Sequence, residues 1–340
     1  MSEKEISRIG VIGAGSWGTT LANLLAEKGM DVTLWVWEKE VLDQILTERI
    51  NGVFLPSLRL VPQLKAVGSL EEAVVGKQLV LLAVPSHVLR GVLSNIKPYI
   101  DHQMVLIAAT KGIENDTLMI MSQVIDSVLT DANMPEFACL TGPSFAKEVA
   151  QKCPTAVTIG CRNLLDGKRL QRLFYTDFLR VYVTKDVIGA QLGGALKNVI
   201  AIAAGACDGL KFGHNARAAL ITRGLAEITR LGVAMGSNPL TFSGLAGMGD
   251  LVLTCTGDLS RNRTVGVKIG KGMRIGEITE SMKMVAEGVK TTRSAYQLAR
   301  KMDVEMPIVT QVYQILYEEK DPREAVKDLM TRVLKTETES

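Results

Sequence analysis

The chain contains 340 residues, more than one hydrophobic core usually holds, so we expect two domains. A hydrophobic share of 47%, a charged share of 22% and a net charge of +3 without a basic stripe argue against a nucleic-acid binder. The charged N-terminus has no apolar core, and residues 192–206 are too short and too polar to span a bilayer, so we expect a cytoplasmic protein.

The cysteines and histidines do not form a recognisable framework. The five cysteines are odd in number and form no Cys-x-x-Cys pair, and the three histidines are scattered. We therefore expect reduced, mostly buried thiols and no bound metal. The cysteines are Cys139, Cys153, Cys161, Cys207 and Cys255.

Short apolar runs alternate with helical patterns in the first half of the chain. Strands are predicted at residues 8–13, 32–36, 78–84, 104–109, 137–140, 156–159 and 179–183, and helices at 16–28, 38–49 and 86–96. The runs at 78–84 and 104–109 are continuously apolar, which is typical of strands buried on both faces of a parallel sheet. This alternation predicts right-handed βαβ units and a doubly wound sheet.

The pattern changes near residue 186, where long runs rich in Ala, Leu and Gly predict helices at 187–205, 215–231, 294–301 and 307–317. We therefore predict an α/β fold with an N-terminal Rossmann-type domain over residues 1–189 that binds NAD(P). An all-helical domain over residues 190–340 would carry the substrate and the catalytic groups.

A glycine-rich turn, Gly-Ala-Gly-Ser-Trp-Gly at residues 13–18, follows the first strand and opens a helix. Gly13 permits the tight turn, Gly15 lets the backbone approach a pyrophosphate, and Gly18 lets the helix pack against the sheet. The helix N-terminus offers free N–H groups to an anion. A glycine turn without a ligand is the alternative, and the strand–turn–helix context favours the dinucleotide.

The end of the second strand carries no well-placed acid for the ribose hydroxyls of NAD. Val36 occupies the expected position, Glu38 follows two residues later, and Lys39 is the nearest cation. This gap leaves room for a 2′-phosphate. We therefore expect NADP or NAD as the cofactor, with NADPH favoured.

Lys197 stands in an apolar run in which only it and Asn198 are strongly polar. A buried ammonium must be paired or lower its pKa, and such a lysine suits acid–base chemistry on a carbonyl. A lysine that reaches the surface from a buried helix is an equally weighted alternative. Asp250 ends a glycine-rich turn and could pair with a buried cation, or could cap a helix.

Two further motifs indicate a phosphate site and a sheet-edge site. Ser260-Arg261-Asn262 precede a helical pattern, and a helix N-terminus with an arginine binds phosphate well. Arg263, Lys268 and Lys271 nearby are explained by a solvated basic face. Residues 140–149 form a turn into a helix just after a strand, where ligands lie in open α/β folds.

These motifs in this order resemble the bacterial type of NAD(P)-dependent sn-glycerol-3-phosphate dehydrogenases. The motifs are GAGSWG at 13–18, ATKG at 109–112, TGPSFAKEV at 141–149, LKN at 196–198, GLAGMGDL at 244–251, SRNR at 260–263 and VAEGVKT at 285–291. The resemblance implies an oxidoreductase that reversibly reduces dihydroxyacetone phosphate to sn-glycerol 3-phosphate for phospholipid synthesis.

The resemblance also implies roles by position. Lys197 matches the proton donor and acceptor, with Asp250 and Asn198 beside it. Trp37 falls where relatives often carry a basic or polar residue at the adenosine end. In addition to Gly13, Gly15 and Gly18 of the glycine-rich turn, the positions implied to bind cofactor are Ser16, Trp17, Trp37, Lys111, Ala146, Arg261, Val285 and Glu287. Those implied to bind substrate are Lys111, Gly142, Ser144, Lys197, Asp250, Ser260, Arg261 and Asn262.

Two other functions remain open at this stage. One is a reductase of similar two-domain build, such as a β-hydroxyacid or ketopantoate type. The other is a sensor that binds NAD(P) without turnover, although a sensor has no need of a buried acid–base group. Apart from the small phosphate substrate, we expect no nucleic acid and no integral membrane segment, and a homodimer by analogy.

Overall fold

The computed structural model describes residues 5–130, 134–280, 286–334 and 336–337. The chain forms two compact units, Met1–Lys111 with Met121–Val187, and Gly112–Ile120 with Ile188–Ser340. The division near residue 187 lies close to the one expected after residue 189. The passage of residues 112–120 into the second unit was not anticipated from the sequence.

The first unit is built on an eight-stranded sheet and a two-stranded hairpin. Its strands are Arg8–Ile12 (β1), Asp31–Trp35 (β2), Ile50–Asn51 (β3), Leu55–Arg59 (β4), Lys65–Val67 (β5), Leu79–Leu82 (β6), Val105–Ala108 (β7), Glu136–Thr141 (β8), Thr155–Cys161 (β9) and Leu179–Thr184 (β10). Its helices are Ser16–Glu27 (α1), Lys39–Glu48 (α2), Leu70–Val74 (α3), Leu89–Ile96 (α4), Met121–Val128 (α5), Ala146–Ala150 (α6) and Leu164–Phe174 (α7), with short 3₁₀ turns at Ser86–Val88 and Lys97–Tyr99.

The large sheet has the strand order β10-β9-β8-β7-β6-β1-β2-β5, and β3 pairs with β4 in the separate hairpin. Every residue of β6 and of β7 is buried, as their continuous apolar runs predict for strands in the middle of such a sheet. The doubly wound, Rossmann-type architecture predicted from the alternation is confirmed.

One part of the sheet departs from simple parallel winding. Strand β9 pairs antiparallel with β8, whereas β10 pairs parallel with β9, so the last two strands oppose the others. A parallel crossover needs a connection of about a dozen residues that usually contains a helix of useful length. Only the five-residue helix Ala146–Ala150 lies between β8 and β9, and the chain returns in the opposite direction.

The second unit is helical across its described residues, with a single isolated bridge between Ile113 and Ile120. Its helices begin with Val187–Gly209 (α8), whose first residue belongs to the first unit, and Gly213–Ala234 (α9). The others are Pro239–Phe242 (α10), Asp250–Thr256 (α11), Arg261–Gly270 (α12), Ile275–Glu280 (α13), Glu287–Lys301 (α14), Pro307–Tyr317 (α15) and Pro322–Met330 (α16), with a π-helical turn at Leu245–Gly249.

Helix α8 forms the centre of this unit. It has 23 residues, so the sequence-based judgement that its apolar run is too short to span a bilayer was wrong on length. Among the described helices it alone is long and apolar enough to do so by composition, yet 94% of its apolar window is buried inside the protein. It is therefore a core helix of the unit, and the helix predicted at residues 187–205 is present and extends to Gly209.

Helices α8 and α12 touch at their backbones because glycines line both. A Cβ on Gly205 would lie 2.1 Å from the carbonyl oxygen of Arg263, and one on Gly266 would lie 2.0 Å from that of Ile202. No side chain fits at either position. This contact places the first turn of α12 directly against α8, which matters for the site described below.

Candidate active site

The glycine-rich turn has the geometry that a pyrophosphate requires. Gly13 has a φ of +114°, a conformation that only glycine adopts easily. A Cβ on Gly18 would lie 2.0 Å from the carbonyl oxygen of Gly13, so the helix packs tightly on the turn. A Cβ on Gly15 would meet nothing within 4 Å, so this side of the turn is open to a ligand.

The start of helix α1 is suited to bind an anion. Gly15 is its N-cap and supplies no side chain to occupy the first N–H groups, and the first turn of the helix contains no acid. The Ser16 hydroxyl donates instead to the carbonyl of Phe54 at 2.6 Å, which ties the turn to the hairpin. Free N–H groups at an uncapped N-terminus fit the pyrophosphate of a dinucleotide.

Asn51 is a positioning residue for this turn that the sequence analysis missed. Its buried side-chain amide donates at 2.8 Å both to the carbonyl of Ala14 and to the hydroxyl of Thr19, and its Oδ1 accepts from the N–H of Phe54 at 3.1 Å. An asparagine outside any recognised motif gives no signal of such a role. Its contact with the turn becomes visible only in the folded unit.

The end of strand β2 has no carboxylate at the expected ribose position. Val36 is buried there, and Trp37 beyond it is 77% exposed. The two rings of Trp35 and Trp37 lie 5.9 Å apart, and the Trp35 indole donates to the carbonyl of Gly68 at 3.1 Å. Trp37 is thus an exposed aromatic residue at the same edge of the sheet as the glycine turn.

Trp17 and Ala146 lie on helices α1 and α6, which pack together in the first unit. The Thr20 hydroxyl of α1 donates to the carbonyl of Ala146 at 3.2 Å. The Trp17 indole N–H is buried and has no hydrogen-bond partner among the described residues. An unpaired buried donor costs free energy, and a ligand atom at this point would satisfy it.

Lys111, Gly142 and Ser144 come together in the first unit at the ends of β7 and β8. The Lys111 ammonium donates to the carbonyl of Gly142 at 3.3 Å, and the Ser144 hydroxyl donates to the same carbonyl at 3.0 Å. Gly142 has a φ of +121°, and a Cβ there would lie 3.0 Å from the Cα of Val157. The three residues expected to bind substrate in this unit therefore form one group.

Lys197 and Asp250 form a buried ion pair in the second unit. Lys197 is 8% exposed, Asp250 is 0% exposed, and the lysine ammonium donates to the carboxylate Oδ1. Helix α8 approaches the π-helical turn before Asp250 closely, because a Cβ on Gly193 would lie 2.2 Å from the carbonyl of Ala246. Gly193 and Lys197 lie one helical turn apart on the same face of α8.

This pairing excludes one of the alternatives left open by the sequence, a lysine that reaches the surface from a buried helix. Lys197 does not extend to the surface, because its ammonium is held inside the unit by a buried acid. Asp250 is the first residue of α11, and its carboxylate contacts Lys197. A buried charge pair is costly to maintain for stability alone, so a functional use of the ammonium is the better explanation.

Asn198 and Asn262 connect α8 to the start of α12. The Asn262 amide donates to Oδ1 of Asn198 at 2.9 Å, and the Asn262 Oδ1 accepts from the N–H of Gly288 at 2.9 Å. Ser260 is the N-cap of α12 and accepts from the N–H of Arg263 at 3.2 Å. The helix start predicted from this motif is confirmed.

Arg261 is the first residue of α12 and lies in the electrostatic field of Glu287, the first residue of α14. Desolvation lowers the pKa of the Arg261 guanidinium, and the nearby Glu287 carboxylate opposes that shift. An arginine guanidinium is not deprotonated in proteins, so Arg261 adds a cation to the N-terminus of α12. Val285, also expected to bind cofactor, lies outside the described residues.

One basic residue was interpreted wrongly from the sequence. Arg263 was ascribed to a solvated face, whereas its guanidinium is largely buried and pairs with Asp208 and Asp258.

Four of the five cysteines are buried and Cys153 is intermediate. Across the described residues no group of three or more His, Cys, Asp or Glu side chains is placed to hold a metal ion.

The chain combines two features. One is a strand, glycine turn and helix that fit a dinucleotide, and the other is a buried lysine–aspartate pair able to move a proton. Dinucleotide-dependent oxidoreductases use this combination. Two family profiles match the chain. They are the N-terminus of NAD-dependent glycerol-3-phosphate dehydrogenase, over residues 8–165, and its C-terminus, over residues 186–327. The chain belongs to the NAD-dependent glycerol-3-phosphate dehydrogenase family.

Relatives match almost the whole chain. Glycerol-3-phosphate dehydrogenase [NAD(P)+] of Geobacter sulfurreducens is 58% identical over 97% of this chain and 98% of its own length. The protein of that name from Syntrophobacter fumaroxidans is 55% identical over 97% of both chains. The cofactor class expected from the glycine turn, NAD or NADP, is thereby confirmed.

Solved structures agree with this placement. The glycerol-3-phosphate dehydrogenase of Coxiella burnetii is 41% identical with a TM-score of 0.91, over 95% of this chain and 98% of that one. The enzyme from Saccharomyces cerevisiae is 28% identical with a TM-score of 0.81, over 96% and 100%. A ketopantoate reductase from Ralstonia eutropha, 14% identical with a TM-score of 0.58, shares the fold alone.

Proposed function

We propose that this chain catalyses the reversible NAD(P)H-dependent reduction of dihydroxyacetone phosphate to sn-glycerol 3-phosphate, in which Lys197 supplies the proton. The buried Lys197–Asp250 pair is the observation that carries this mechanism. The reaction is that of an oxidoreductase acting on a CH–OH group, and its product is the backbone of glycerophospholipids.

The chemistry at the carbonyl is divided between cofactor and protein. Bound NAD(P)H would supply the hydride for the carbonyl carbon. The Lys197 ammonium then donates a proton from Nζ to the alkoxide oxygen as it forms, and Nζ takes that proton back when the alcohol is oxidised. Asp250 holds the ammonium in position and offsets its charge inside the apolar unit.

The phosphate of the substrate would bind at the start of α12. The N–H groups of the first turn and the Arg261 guanidinium provide fixed positive charge there, and Asn262 is oriented by its bonds to Asn198 and Gly288. Ser260 caps the same turn. Substrate contacts from the first unit would come from Lys111, Gly142 and Ser144.

The cofactor would bind on the first unit along the glycine turn. Gly13, Gly15, Ser16 and Gly18 would hold the pyrophosphate at the N-terminus of α1, and the unpaired Trp17 N–H would donate to the dinucleotide. Trp37 would lie at the adenosine end. Further contacts would come from Lys111, Ala146, Arg261, Val285 and Glu287.

The finer features of the proposal are the cofactor preference, the location, the assembly and the domain division. NADPH is favoured because Val36 presents no carboxylate to repel a 2′-phosphate. We further propose that the enzyme works in the cytoplasm as a homodimer, by analogy with its family. The domain division proposed is residues 1–189 for cofactor and residues 190–340 for substrate and catalysis.

A turnover assay tests the proposal directly. The purified chain should oxidise NADPH or NADH with dihydroxyacetone phosphate, and should do so at least a hundredfold less efficiently with 2-dehydropantoate at equal concentration. Turnover of 2-dehydropantoate alone would favour the ketopantoate reductase alternative. Cofactor binding without turnover of either ketone would favour a sensor and would contradict the role given to Lys197.

A further inference from the structure

A second charged cluster lies in the helical unit outside the residues proposed to touch substrate. The Asp208 carboxylate accepts from Arg217 Nη1 at 3.1 and 3.2 Å and from Arg263 Nε at 2.8 Å, and Arg263 Nη2 forms an ion pair with the same carboxylate at 2.8 Å. Arg217 also contacts the His214 ring at 2.9 Å. The side chains of the acid and of both arginines are mostly buried, so solvent screens these bonds little.

The positions of Asp208 and Arg263 in their helices are locally unfavourable. Asp208 is next to the last residue of α8, where the helix dipole disfavours an acid. Arg263 is in the first turn of α12, where the dipole disfavours a cation, and Arg217 is the fifth residue of α9. Local helix stability therefore does not account for these residues. Their use lies in the connection that they make between helices.

That connection holds the proposed phosphate-binding turn. Arg263 directly follows Asn262, and neighbouring residues of a helix point in different directions. Asn262 is bonded to Asn198 in the middle of α8, whereas Arg263 is bonded to Asp208 near the C-terminal end of that helix. The carbonyl of Arg263 lies against Gly205, so the backbone of the turn has little space in which to shift.

We propose that Asp208 is a positioning residue for substrate phosphate, because it fixes the first turn of α12 against α8 through Arg263. This inference rests on the proposed function. Asp208 is not among the residues proposed to touch substrate, and its carboxylate is bonded to Arg217 and Arg263 rather than to the lysine–aspartate pair. Its removal therefore acts on phosphate recognition and leaves the proton transfer by Lys197 in place.

The chain offers a matched control. Asp258 pairs with the same guanidinium, at 3.0 Å from Arg263 Nη1, but its side chain is 96% exposed. An exposed ion pair contributes little, whereas removing one partner of a buried pair leaves an uncompensated charge. Asp208→Asn and Asp258→Asn therefore remove a carboxylate from the same arginine and differ in burial, and Asp208→Asn also removes the carboxylate that pairs with Arg217.

The experiment compares kcat and KM for dihydroxyacetone phosphate and for unphosphorylated dihydroxyacetone. Asp208→Asn should lower kcat/KM for the phosphate about ten- to hundredfold, mainly through KM, and should change that for dihydroxyacetone by less than about threefold. Asp258→Asn should stay within about twofold on both ketones. Asp208→Glu, which restores the carboxylate, should recover part of the lost affinity.

Several results would overturn the proposal. Equal losses of Asp208→Asn on both ketones would indicate general damage, and unchanged KM for the phosphate would remove the positioning role. If Asp208→Asn does not fold by circular dichroism, Arg263→Lys keeps the charge but loses the two-nitrogen fork, and should raise KM for the phosphate selectively. Failure of the unaltered enzyme to reduce dihydroxyacetone phosphate would contradict the proposed function itself.

Discussion

Glu227 in helix α9 makes the stability of the helical unit depend on pH. It is 2% exposed, and its carboxylate accepts from the N–H groups of Ile308 at 2.7 Å and Val309 at 3.2 Å, in the first turn of α15. Desolvation raises the pKa of Glu227 to about 7. The two backbone hydrogen bonds and the charges of Arg230 and Arg332 lower the pKa, but their effect is smaller. The folded protein thus binds this proton more tightly than the unfolded chain.

The sign and size of the effect follow from this shift. Because the pKa is raised on folding from 4.5 to about 7, the associated stability is present below pH 4.5 and is lost as the pH rises through 7. Each unit of pKa is worth about 1.4 kcal/mol, so the full loss is roughly 3 kcal/mol. Between pH 5.5 and pH 8 the loss amounts to roughly 2 kcal/mol.

Glu227→Gln removes the ionisation and keeps the side-chain length. We expect the unfolding free energy of the variant, relative to that of the unaltered protein, to be roughly 2 kcal/mol higher at pH 8 than at pH 5.5. Urea unfolding followed by circular dichroism at each pH measures this difference. Glu318→Gln, at an exposed position at the end of α15, serves as control and should show no such change. The reasoning would be refuted if the difference in unfolding free energy between Glu227→Gln and the unaltered protein stayed constant with pH, or if the unaltered protein became relatively more stable at pH 8.

Two predictions concern ligand recognition. Arg261→Ala should lower kcat/KM for dihydroxyacetone phosphate about ten- to hundredfold and that for dihydroxyacetone far less, because a charge-assisted contact to phosphate is lost; equal losses on both ketones would exclude phosphate reading by Arg261. NADPH should be used at least as well as NADH, since buried Val36 stands where an acid would select NAD; a preference for NADH of about a hundredfold in kcat/KM would contradict this.

The sequence predicts those parts of the fold that depend on local patterns. The continuous apolar runs of β6 and β7 mark buried strands, the glycine turn marks the start of α1, and Ser260 marks the start of α12. In each case one short segment contains the whole signal, because burial on both faces, a positive φ and a helix cap each demand particular residue types.

The remaining features depend on segments far apart in the chain. The residue pattern of strand β9 does not predict that it pairs antiparallel with β8, because side chains alternate between the two faces in the same way in either direction. Asn51 reaches the glycine turn 37 residues away, and Asp208 pairs with Arg263 55 residues away. Such partners are brought together only when the chain packs, and a single sequence does not predict which distant residues become neighbours in space.

The central claim is that the Lys197 ammonium provides the proton for carbonyl reduction. Lys197→Met keeps the length and apolar contacts of the side chain and removes its charge. Because this change leaves Asp250 buried without its cation, the double variant Lys197→Met with Asp250→Asn serves as a control in which both charges are absent. Circular dichroism and NAD(P)H fluorescence establish that each variant folds and binds cofactor.

The decisive measurement is kcat in both directions for Lys197→Met. Removal of a general acid should lower kcat by about 10²- to 10⁴-fold, with NAD(P)H binding unchanged because the glycine turn belongs to the other unit. The double variant should be equally slow, since restored charge balance does not replace the proton donor. A folded Lys197→Met enzyme that binds NAD(P)H and turns over dihydroxyacetone phosphate at a near-normal rate would contradict the account.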